Sequence, residues 1–270
     1  VNTPWQPQFD LENRIADVSG LVDAVITPTL SEQTDIVLKS VGQAAALYLL
    51  ENLKDGDTIC ISGGRGVSAV IEALRPERKY DVTVVPATGG VQGKLYTDVN
   101  YVAAQMAEKL GGTAFQIHAP LFAETAEQRD MLLAMSQVKE VLDRAREATI
   151  AIVGIGSILP ESSSFFDLYE GAEQDRKSIV GGGAVAEMLA HLVDRRGSPG
   201  PYDLNDRIIG LTLPEMHKIP LSIGVAAGAD KAVPIHCVLQ GQHIKVLVSD
   251  EATANLVLKK YHEEKEMTDT

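Results

Sequence analysis

The stretch TICISGGRGVSAVIEAL, residues 58–74, decides the fold of this chain. It runs from a short apolar segment through a glycine-rich turn into apolar positions at helical spacing, which predicts a strand, a tight loop and a helix in succession. The N–H groups at the start of such a helix lack intrahelical acceptors and favour a negatively charged ligand. The stretch therefore predicts one unit of an α/β fold with a candidate anion site at its turn.

Similar apolar segments recur along the chain and alternate with helical patterns. Helices are predicted within residues 31–57, 96–110, 127–148 and 250–264, where apolar residues recur at helical spacing. Continuous apolar strands between helices predict an α/β fold, a mainly parallel Rossmann-like sheet with helices on both faces. The predicted strands are TICIS (58–62), VTVVPA (82–87), FQIHAP (115–120), TIAIVGIG (149–156), RIIGLTL (207–213), LSIGVAAG (221–228) and IKVLVSD (244–250).

Glycine-bearing loops follow several of these strands, and such loops meet at the carboxyl edge of a parallel sheet, where ligands bind. Glycine after a strand often marks a tight turn and nothing more, so each loop alone is weak evidence. Together the loops predict a cradle for a small ligand. Its candidate residues are Ser62, Gly63, Gly64, Gly66, Ser68, Thr88, Gly89, Gly90, Gly154 and Gly156.

Several common sites are disfavoured by the same residues. GGRGVS lacks the Lys-Ser or Lys-Thr ending of a P-loop, and no acidic residue follows where a dinucleotide fold grips ribose. The six histidines are scattered without metal-ligand spacing, so we expect no metal and no cofactor. Ser62 and Ser68 have no assigned base nearby, which favours turn and helix-cap roles over nucleophilic ones.

Composition narrows the class of protein further. A net charge of −13 gives the chain no basic face for nucleic acid. Cys60 and Cys237 lie in apolar surroundings, which predicts two buried thiols rather than a disulfide. The chain shows no long apolar span and no secretory leader, so we expect a cytoplasmic location without a membrane partner.

The order of the motifs resembles the effector-binding domain of the SorC family of bacterial sugar-responsive transcription regulators. The resemblance covers residues 11–258. It implies a fold similar to glucosamine-6-phosphate deaminase and ribose-5-phosphate isomerase, used as a sensor, with residues 11–270 as the effector-binding domain and 1–10 as the remnant of a linker. The motifs that carry it are DLENRIADVSGLVDAVIT, SGGRGVS, VVPATGGVQG, VGIGS, GAVAEMLAHLVDRRG, AAGADKAVPI and VLVSDEATANLVL.

The resemblance also implies a set of ligand contacts. It places a phosphate near Gly63, Gly64, Arg65, Gly66 and Ser68 and on Lys231, and it places Glu187 and Asp98 or Asn100 against sugar hydroxyls. A solvated lysine, a solvated glutamate and a helix-capping aspartate are the plain alternatives.

Thr88 departs from two regulators of the family, the central glycolytic gene regulator with a cationic side chain and the deoxyribonucleoside regulator with a lysine before this Gly-Gly pair. A second phosphate or a Schiff base is therefore not expected there. The expected effector is a sugar or polyol that is either free or carries one phosphate.

Two classes of function compete at this point. In the first, the chain senses a sugar and forms homodimers or tetramers through residues 34–53 or 162–177. DNA contact would then belong to an N-terminal helix-turn-helix that this chain does not contain, and residues 157–178 would close over the ligand. In the second, the chain is an isomerase- or deaminase-like enzyme with Asp230 as a carboxylate base. The loop at residues 153–164 lacks the Asp-Gly-His pattern of the deaminases, which favours the sensor over the enzyme.

Overall fold

The computed structural model describes residues 6–91, 96–159, 163–168 and 172–268. Within these residues the chain forms two sheets and a set of surrounding helices. The α-helices are Gln6–Ser19 (α1), Thr34–Asn52 (α2), Arg65–Ala73 (α3), Val99–Leu110 (α4), Ala126–Ala134 (α5), Ser136–Arg146 (α6), Ala172–Gly181 (α7), Leu213–Lys218 (α8), Ala232–Gln240 (α9) and Glu251–Thr268 (α10). Helix α1 begins inside residues 1–10, the stretch expected to be a linker remnant.

The larger sheet has seven strands in the order β1-β10-β9-β5-β2-β3-β4, and every neighbouring pair is parallel. The smaller sheet pairs β6, β7 and β8 in antiparallel fashion. The strands are Asp23–Thr27 (β1), Thr58–Ile61 (β2), Thr83–Pro86 (β3), Thr113–Ala114 (β4), Ile150–Gly154 (β5), Gly156–Ser157 (β6), Ala186–Met188 (β7), His191–Val193 (β8), Leu221–Val225 (β9) and Val246–Asp250 (β10).

Both faces of the large sheet are buried, which explains why its strands are continuously apolar. On β2, Ile59 and Ile61 belong to the core cluster that includes α2, α3 and α4, whereas Cys60 points to the opposite face and belongs to the cluster that includes α1, α9 and α10. Strand β5 alternates in the same way, with Ile152 on the first face and Val153 on the second. The predicted parallel α/β fold is confirmed.

The small sheet belongs to a separate layer that we call the cap. The cap comprises β6, β7 and β8, the 3₁₀ helix Ser164–Asp167 and α7. Several of its apolar side chains form a cluster of their own, in which the Phe165 and Phe166 rings meet edge to face at 5.3 Å. Ala186 and Met188 of β7 and Val193 of β8 pack instead with the main core. Phe122, from the loop after β4, approaches Phe165 in the same way at 6.5 Å. The cap is thus a packed layer beside the carboxyl edge of the large sheet.

Two predicted strands are wrong. In FQIHAP no residue is in a strand, because the pairing with β3 ends at Ala114. RIIGLTL forms only isolated bridges, Phe122 with Ile208 and Thr88 with Gly210. The predicted helix at 127–148 is interrupted at Met135, whose extended backbone separates α5 from α6.

Candidate functional site

A cavity of about 370 Å³ lies at the carboxyl edge of the large sheet, between that edge and the cap. Loops after β2, β3, β5 and β9 form one side of it. Most of the predicted ligand residues line it, namely Ser62, Gly63, Gly64, Arg65, Gly66, Thr88, Gly89, Gly154, Gly156, Glu187 and Lys231. Ser68, Gly90, Asp98 and Asn100 do not line it.

The turn between β2 and α3 brings main-chain donors to the cavity. Gly64 precedes the helix with φ of 123°, a conformation that side chains disfavour, and it offers no side-chain cap. The N–H groups of Arg65, Gly66 and Val67 occupy the first turn of α3, where no carbonyl of the helix can accept them. Their partial positive charges and the helix dipole favour an anion at this position.

The loop after β9 lies directly against this turn. A Cβ on Gly66 would come within 2.8 Å of the Val225 carbonyl oxygen, so the start of α3 and the end of β9 are in close contact. Lys231 follows six residues after Val225, is half-buried and lines the cavity. The charge of Lys231 and the donors of α3 therefore belong to the same cavity.

Buried Asp250 holds the Lys231 loop in place. Its carboxylate accepts the Gly228 N–H at 2.8 Å and the Thr253 hydroxyl at 2.7 Å, and Thr29 donates to it at 3.0 Å. The carboxylate is 1% exposed, so its hydrogen bonds are shielded from water. Lys231 itself makes no ion pair with a carboxylate of the described residues.

Arg65 and Ser62 contribute less directly than their positions suggest. The guanidinium of Arg65 is half-exposed and pairs with Asp35 at the start of α2. Only the main chain of Arg65 is thus available without breaking that pair. The Ser62 hydroxyl donates to the Gly63 carbonyl at 2.9 Å and accepts the Gly154 N–H at 3.2 Å, which ties the loops after β2 and β5 together.

Glu187 supplies a carboxylate on the cap side of the cavity. The Ala190 N–H donates to its Oε2 at 3.1 Å, and its Oε1 lies where a Cβ on Gly156 would be only 2.0 Å away. Burial raises the pKa of Glu187 from its ordinary value of 4.5, while the Ala190 hydrogen bond and the charge of Lys231 oppose that rise. Glu187 is therefore a partly desolvated acceptor that faces the same cavity as Lys231.

Asp98 and Asn100 hold the fold rather than line the cavity. The Asp98 carboxylate caps α4 by accepting the Asn100 N–H at 3.0 Å. The Asn100 side chain donates to the Ile117 carbonyl at 3.0 Å and accepts the Ile117 N–H at 2.8 Å. In this structure these polar atoms bond main chain, and the expected contact of Asp98 or Asn100 with sugar hydroxyls stays a prediction.

The N–H groups of Gly89 and Gly90, in the loop after β3, already donate hydrogen bonds to neighbouring segments. The Gly89 N–H donates to the Ile209 carbonyl at 2.7 Å, and the Gly90 N–H donates to the Ala119 carbonyl at 2.9 Å. Thr88 is buried and bridges to Gly210. Residues 92–95 of this loop lie outside the described residues. Ser68 lies one turn into α3, and its N–H donates to the Gly64 carbonyl at 3.0 Å.

The cavity also contains residues that the sequence pattern did not single out. Leu121 and Phe165 form apolar wall, and Thr34 reaches the cavity from α2. Leu189 and Ala190 form the turn between β7 and β8, with φ of 53° and 65°. No sequence signal marks this turn, because Leu-Ala lacks the asparagine and glycine that such turns favour.

The described part of the chain shows no cluster of metal-ligating side chains and no membrane-spanning helix. Within it, no group of three or more His, Cys, Asp or Glu side chains is placed to hold a metal ion. Nor does any helix there combine the length and apolar character needed to cross a membrane.

Comparison with known proteins identifies the family. The model of a family described as "Putative sugar-binding domain" matches residues 4–259 of the chain. The chain belongs to this sugar-binding domain family. The erythritol catabolism regulatory protein EryD of Brucella abortus (strain 2308) is 31% identical over 256 residues, which are 93% of this chain and 79% of EryD. The central glycolytic genes regulator of Bacillus subtilis (strain 168) is 28% identical over 250 residues, 92% and 71% of the two chains.

Solved structures of sugar-binding domains share this fold. The full-length sorbitol operon regulator SorC from Klebsiella pneumoniae superposes with a TM-score of 0.86 at 24% identity, covering 96% of this chain and 83% of that chain. The probable sor operon regulator from Shigella flexneri gives a TM-score of 0.84 at 25% identity, covering 93% and 99%. The resemblance to the SorC family is confirmed. The sugar-binding domain is the effector-binding part of a transcriptional regulator of sugar metabolism, and the relatives do not support the enzyme alternative.

Proposed function

We propose that the cavity of this sugar-binding domain binds a small sugar or polyol carrying one phosphate, and that this effector sets the activity of the regulator. The phosphate would lie at the first turn of α3, against Lys231. The hydroxyl end would face Glu187 and the cap. A free sugar is the alternative, and it would leave the anion site unused.

The proposal is supported mainly by one observation: main-chain N–H donors at the start of α3 and the charged side chain of Lys231 line the same cavity. The N–H groups of the first turn of α3 have no acceptors within the helix, and Lys231 has no carboxylate partner among the described residues. The contact between Gly66 and the end of β9 brings these features together. A phosphate satisfies both, since it accepts several hydrogen bonds and carries negative charge.

The charges around the cavity favour one phosphate over two. Arg65 is paired with Asp35, and Thr88 brings no positive charge to the loop after β3. Among the described residues, the charged groups that line the cavity on the cap side are Glu187 and Asp167, and acidic groups there disfavour a second phosphate. Carboxylates do accept hydrogen bonds from hydroxyls, so that side suits a polyol end. The name of EryD, a regulator of erythritol catabolism, is consistent with a short polyol.

Thermal denaturation with a ligand panel tests the proposal, because a ligand that binds only the folded state raises its apparent stability. The panel would contain monophosphates of tetroses, tetritols, pentoses and hexoses, their free counterparts, and inorganic phosphate. We expect a monophosphate to raise Tm more than its free sugar at equal concentration. A free sugar that stabilises as strongly as its phosphate would contradict the anion site.

An activity assay separates the sensor from the enzyme alternative. Asp230, the candidate base, is exposed at the cavity mouth, whereas aldose–ketose chemistry benefits from a shielded carboxylate. We expect no isomerisation or deamination of pentose or hexose phosphates by the purified chain. Sustained turnover that scales with protein concentration and is lost in Asp230→Asn would reverse this assignment.

We also propose that the regulator works as a homodimer or tetramer in the cytoplasm and contacts DNA through a helix-turn-helix outside these residues. The net charge of −13 disfavours direct contact between this domain and a nucleic acid backbone. Helix α2 leaves Ile36 and Leu47 exposed at 51% and 59%, which makes it the better candidate for self-association. Residues 162–177, the other candidate, lie partly outside the described residues. Sedimentation of the wild type and of Leu47→Glu distinguishes the surfaces.

A further inference from the structure

The turn between β7 and β8 is an unusual feature of the cavity wall. Met188 pairs with His191, so Leu189 and Ala190 alone form the loop of the hairpin. Both have positive φ, which a two-residue turn of this type requires and which asparagine and glycine adopt far more readily than leucine or alanine. Such a conformation persists only where the surrounding structure holds it, and it clusters at functional sites.

The surroundings do hold this turn on two sides. Leu189 is 4% exposed and packs with the main core beneath the large sheet, whereas Ala190 is 5% exposed and packs with the cap cluster. Both residues also line the cavity. The turn is therefore the point where the main core, the cap and the cavity meet.

The turn also fixes the carboxylate of Glu187. The N–H of Ala190 points to Glu187 Oε2 at 3.1 Å, and its direction depends on the left-handed backbone on either side of it. The other carboxylate oxygen is confined by Gly156. Glu187 thus has little freedom to rotate while the turn keeps its shape.

We propose that the Leu189–Ala190 turn is the specificity-determining element for the sugar end of the effector. Ala190 is a positioning residue that aims the Glu187 carboxylate at one hydroxyl, and Leu189 provides the apolar wall beside it. The effector therefore presents an unsubstituted hydroxyl flanked by a C–H face at this end. The inference rests on the proposed function, because it assumes a phosphosugar in the cavity.

Two dissociation constants distinguish the contribution of the phosphate end of the ligand from that of its sugar end. Inorganic phosphate probes the anion site alone, and the sugar monophosphate of the panel that stabilises the wild type most strongly probes both ends. The ratio of the phosphate Kd to the phosphosugar Kd measures what the sugar end contributes. A defect in folding or in the anion site would change both dissociation constants. A defect in the turn changes only the phosphosugar Kd, and therefore the ratio.

The chain offers a matched control. Gln242 also has positive φ, at 53°, but it is exposed in the turn before β10 and does not line the cavity. We expect Ala190→Val to lower the ratio about tenfold, because a branched side chain disfavours positive φ and would turn the Ala190 N–H away from Glu187, with inorganic phosphate binding within about twofold of wild type. Gln242→Val should leave both constants unchanged, although it strains a residue of positive φ in the same way.

A double-mutant cycle tests whether the turn acts through Glu187. In a Glu187→Gln background, Ala190→Val should cause no further loss in the ratio, because the two changes disable one contact. An unchanged ratio in Ala190→Val, or full additivity in the double variant, would overturn the inference while leaving the proposed function in place. Failure of the wild type to bind any phosphosugar or inorganic phosphate would overturn both.

Discussion

Lys231 carries the largest expected share of effector affinity at the residue scale. Lys231 lines the same cavity as the first turn of α3 and makes no ion pair with a carboxylate of the described residues. We predict that Lys231→Ala weakens phosphosugar binding by about 1.5–3 kcal/mol, as for a hydrogen bond to a charged group. Calorimetry measures the change. Lys259→Ala removes an exposed lysine of α10 and should leave affinity unchanged; equal affinity of Lys231→Ala and wild type would show that the phosphate lies elsewhere.

Gly154 gives a steric probe of the cavity. A Cβ at this position meets no atom within 4 Å, and the residue lines the cavity, so a side chain there would occupy ligand space. We predict that Gly154→Val weakens phosphosugar binding by about 1–3 kcal/mol, the usual range for overpacking, while Tm stays near that of the wild type. Titration calorimetry and thermal denaturation are measured together.

Two further glycine substitutions serve as comparisons for Gly154→Val. Gly181→Val places the same side chain in open space on α7, away from the cavity, and should not affect binding. Gly64→Val should reduce both affinity and Tm, because φ of 123° strains any side chain. If Gly154→Val binds as tightly as the wild type, the effector does not approach the end of β5.

Glu187 makes stability depend on pH. Burial raises its pKa in the folded state above the ordinary value of 4.5, so folding favours the protonated carboxyl. Its contribution to stability is therefore fully present below pH 4.5 and is lost as the pH rises through the folded pKa. We predict that Glu187→Gln, which cannot ionise, raises Tm at pH 7 and has a smaller effect near pH 4. Exposed Glu77→Gln serves as the control, and the same Tm difference at both pH values would contradict the prediction.

The sequence allowed part of the cavity lining to be predicted at this scale. Glycines and Lys231 in loops after strands do line the cavity, and their role in binding an anion stays a prediction. Asp98 and Asn100 do not line it, because capping and main-chain bonding use their polar groups, and sequence alone does not separate those roles from ligand binding. The Leu189–Ala190 turn could not be predicted, since its conformation comes from packing between two cores.

At the scale of elements, burial decided which predictions succeeded. Strands β2, β3, β5, β9 and β10 lie in the interior of the sheet, and their continuous apolar runs were recognised. Edge strand β1 was missed among the predicted strands. FQIHAP and RIIGLTL have strand-like composition, but they pack as irregular chain beside the cavity and the cap. An apolar composition predicts that a segment is buried. Whether the segment also pairs as a β-strand depends on a neighbouring strand, which the local sequence does not reveal.

The packing of the cap predicts how it responds to the effector. Residues 157–178 were expected to close over the ligand, and 160–162 and 169–171 of that stretch lie outside the described residues. The 3₁₀ helix Ser164–Asp167 lines the cavity, while Phe165 and Phe166 anchor it to the cap cluster. We therefore expect the cap to respond as a unit rather than as a single loop.

Hydrogen exchange tests this expectation. Amides of residues 163–168 and 186–193 should gain protection together when the phosphosugar binds, because one ligand then contacts the sheet edge and the cap. Amides of α10 residues 259–266, far from the cavity lining, serve as the internal reference. Protection confined to the loops after β2 and β9 would show that the cap takes no part in sensing.

At the scale of the whole molecule, the arrangement of the cores links effector binding to global stability. The central strands of the large sheet contribute side chains to both main cores, and their carboxyl ends form the cavity floor. A ligand at that edge contacts loops from separate strands, so opening the sheet must release it. Effector binding should then lower the population of the globally open state by the factor 1 + [L]/Kd, where [L] is the effector concentration.

Cys60 reports that opening directly. It lies at the centre of the sheet on β2 with 0% exposure, and burial raises the pKa of its thiol, so the native state offers no reactive thiolate. Cys237, on α9, is 1% exposed, and burial chiefly raises its pKa to about 11. Both thiols are free, as the sequence predicted. Labelling of Cys60 by a thiol reagent should therefore follow transient unfolding of the sheet.

We predict that a phosphosugar at about 100 times its Kd slows Cys60 labelling by about 100-fold, because the open state cannot bind it. The measurement uses Cys237→Ala, which leaves Cys60 as the single thiol in the chain. Lys231→Ala in the same background should lose most of this protection at the same ligand concentration, since its Kd is higher. Labelling that is insensitive to the ligand would mean that Cys60 becomes exposed without opening of the cavity, and binding and sheet stability would then be uncoupled.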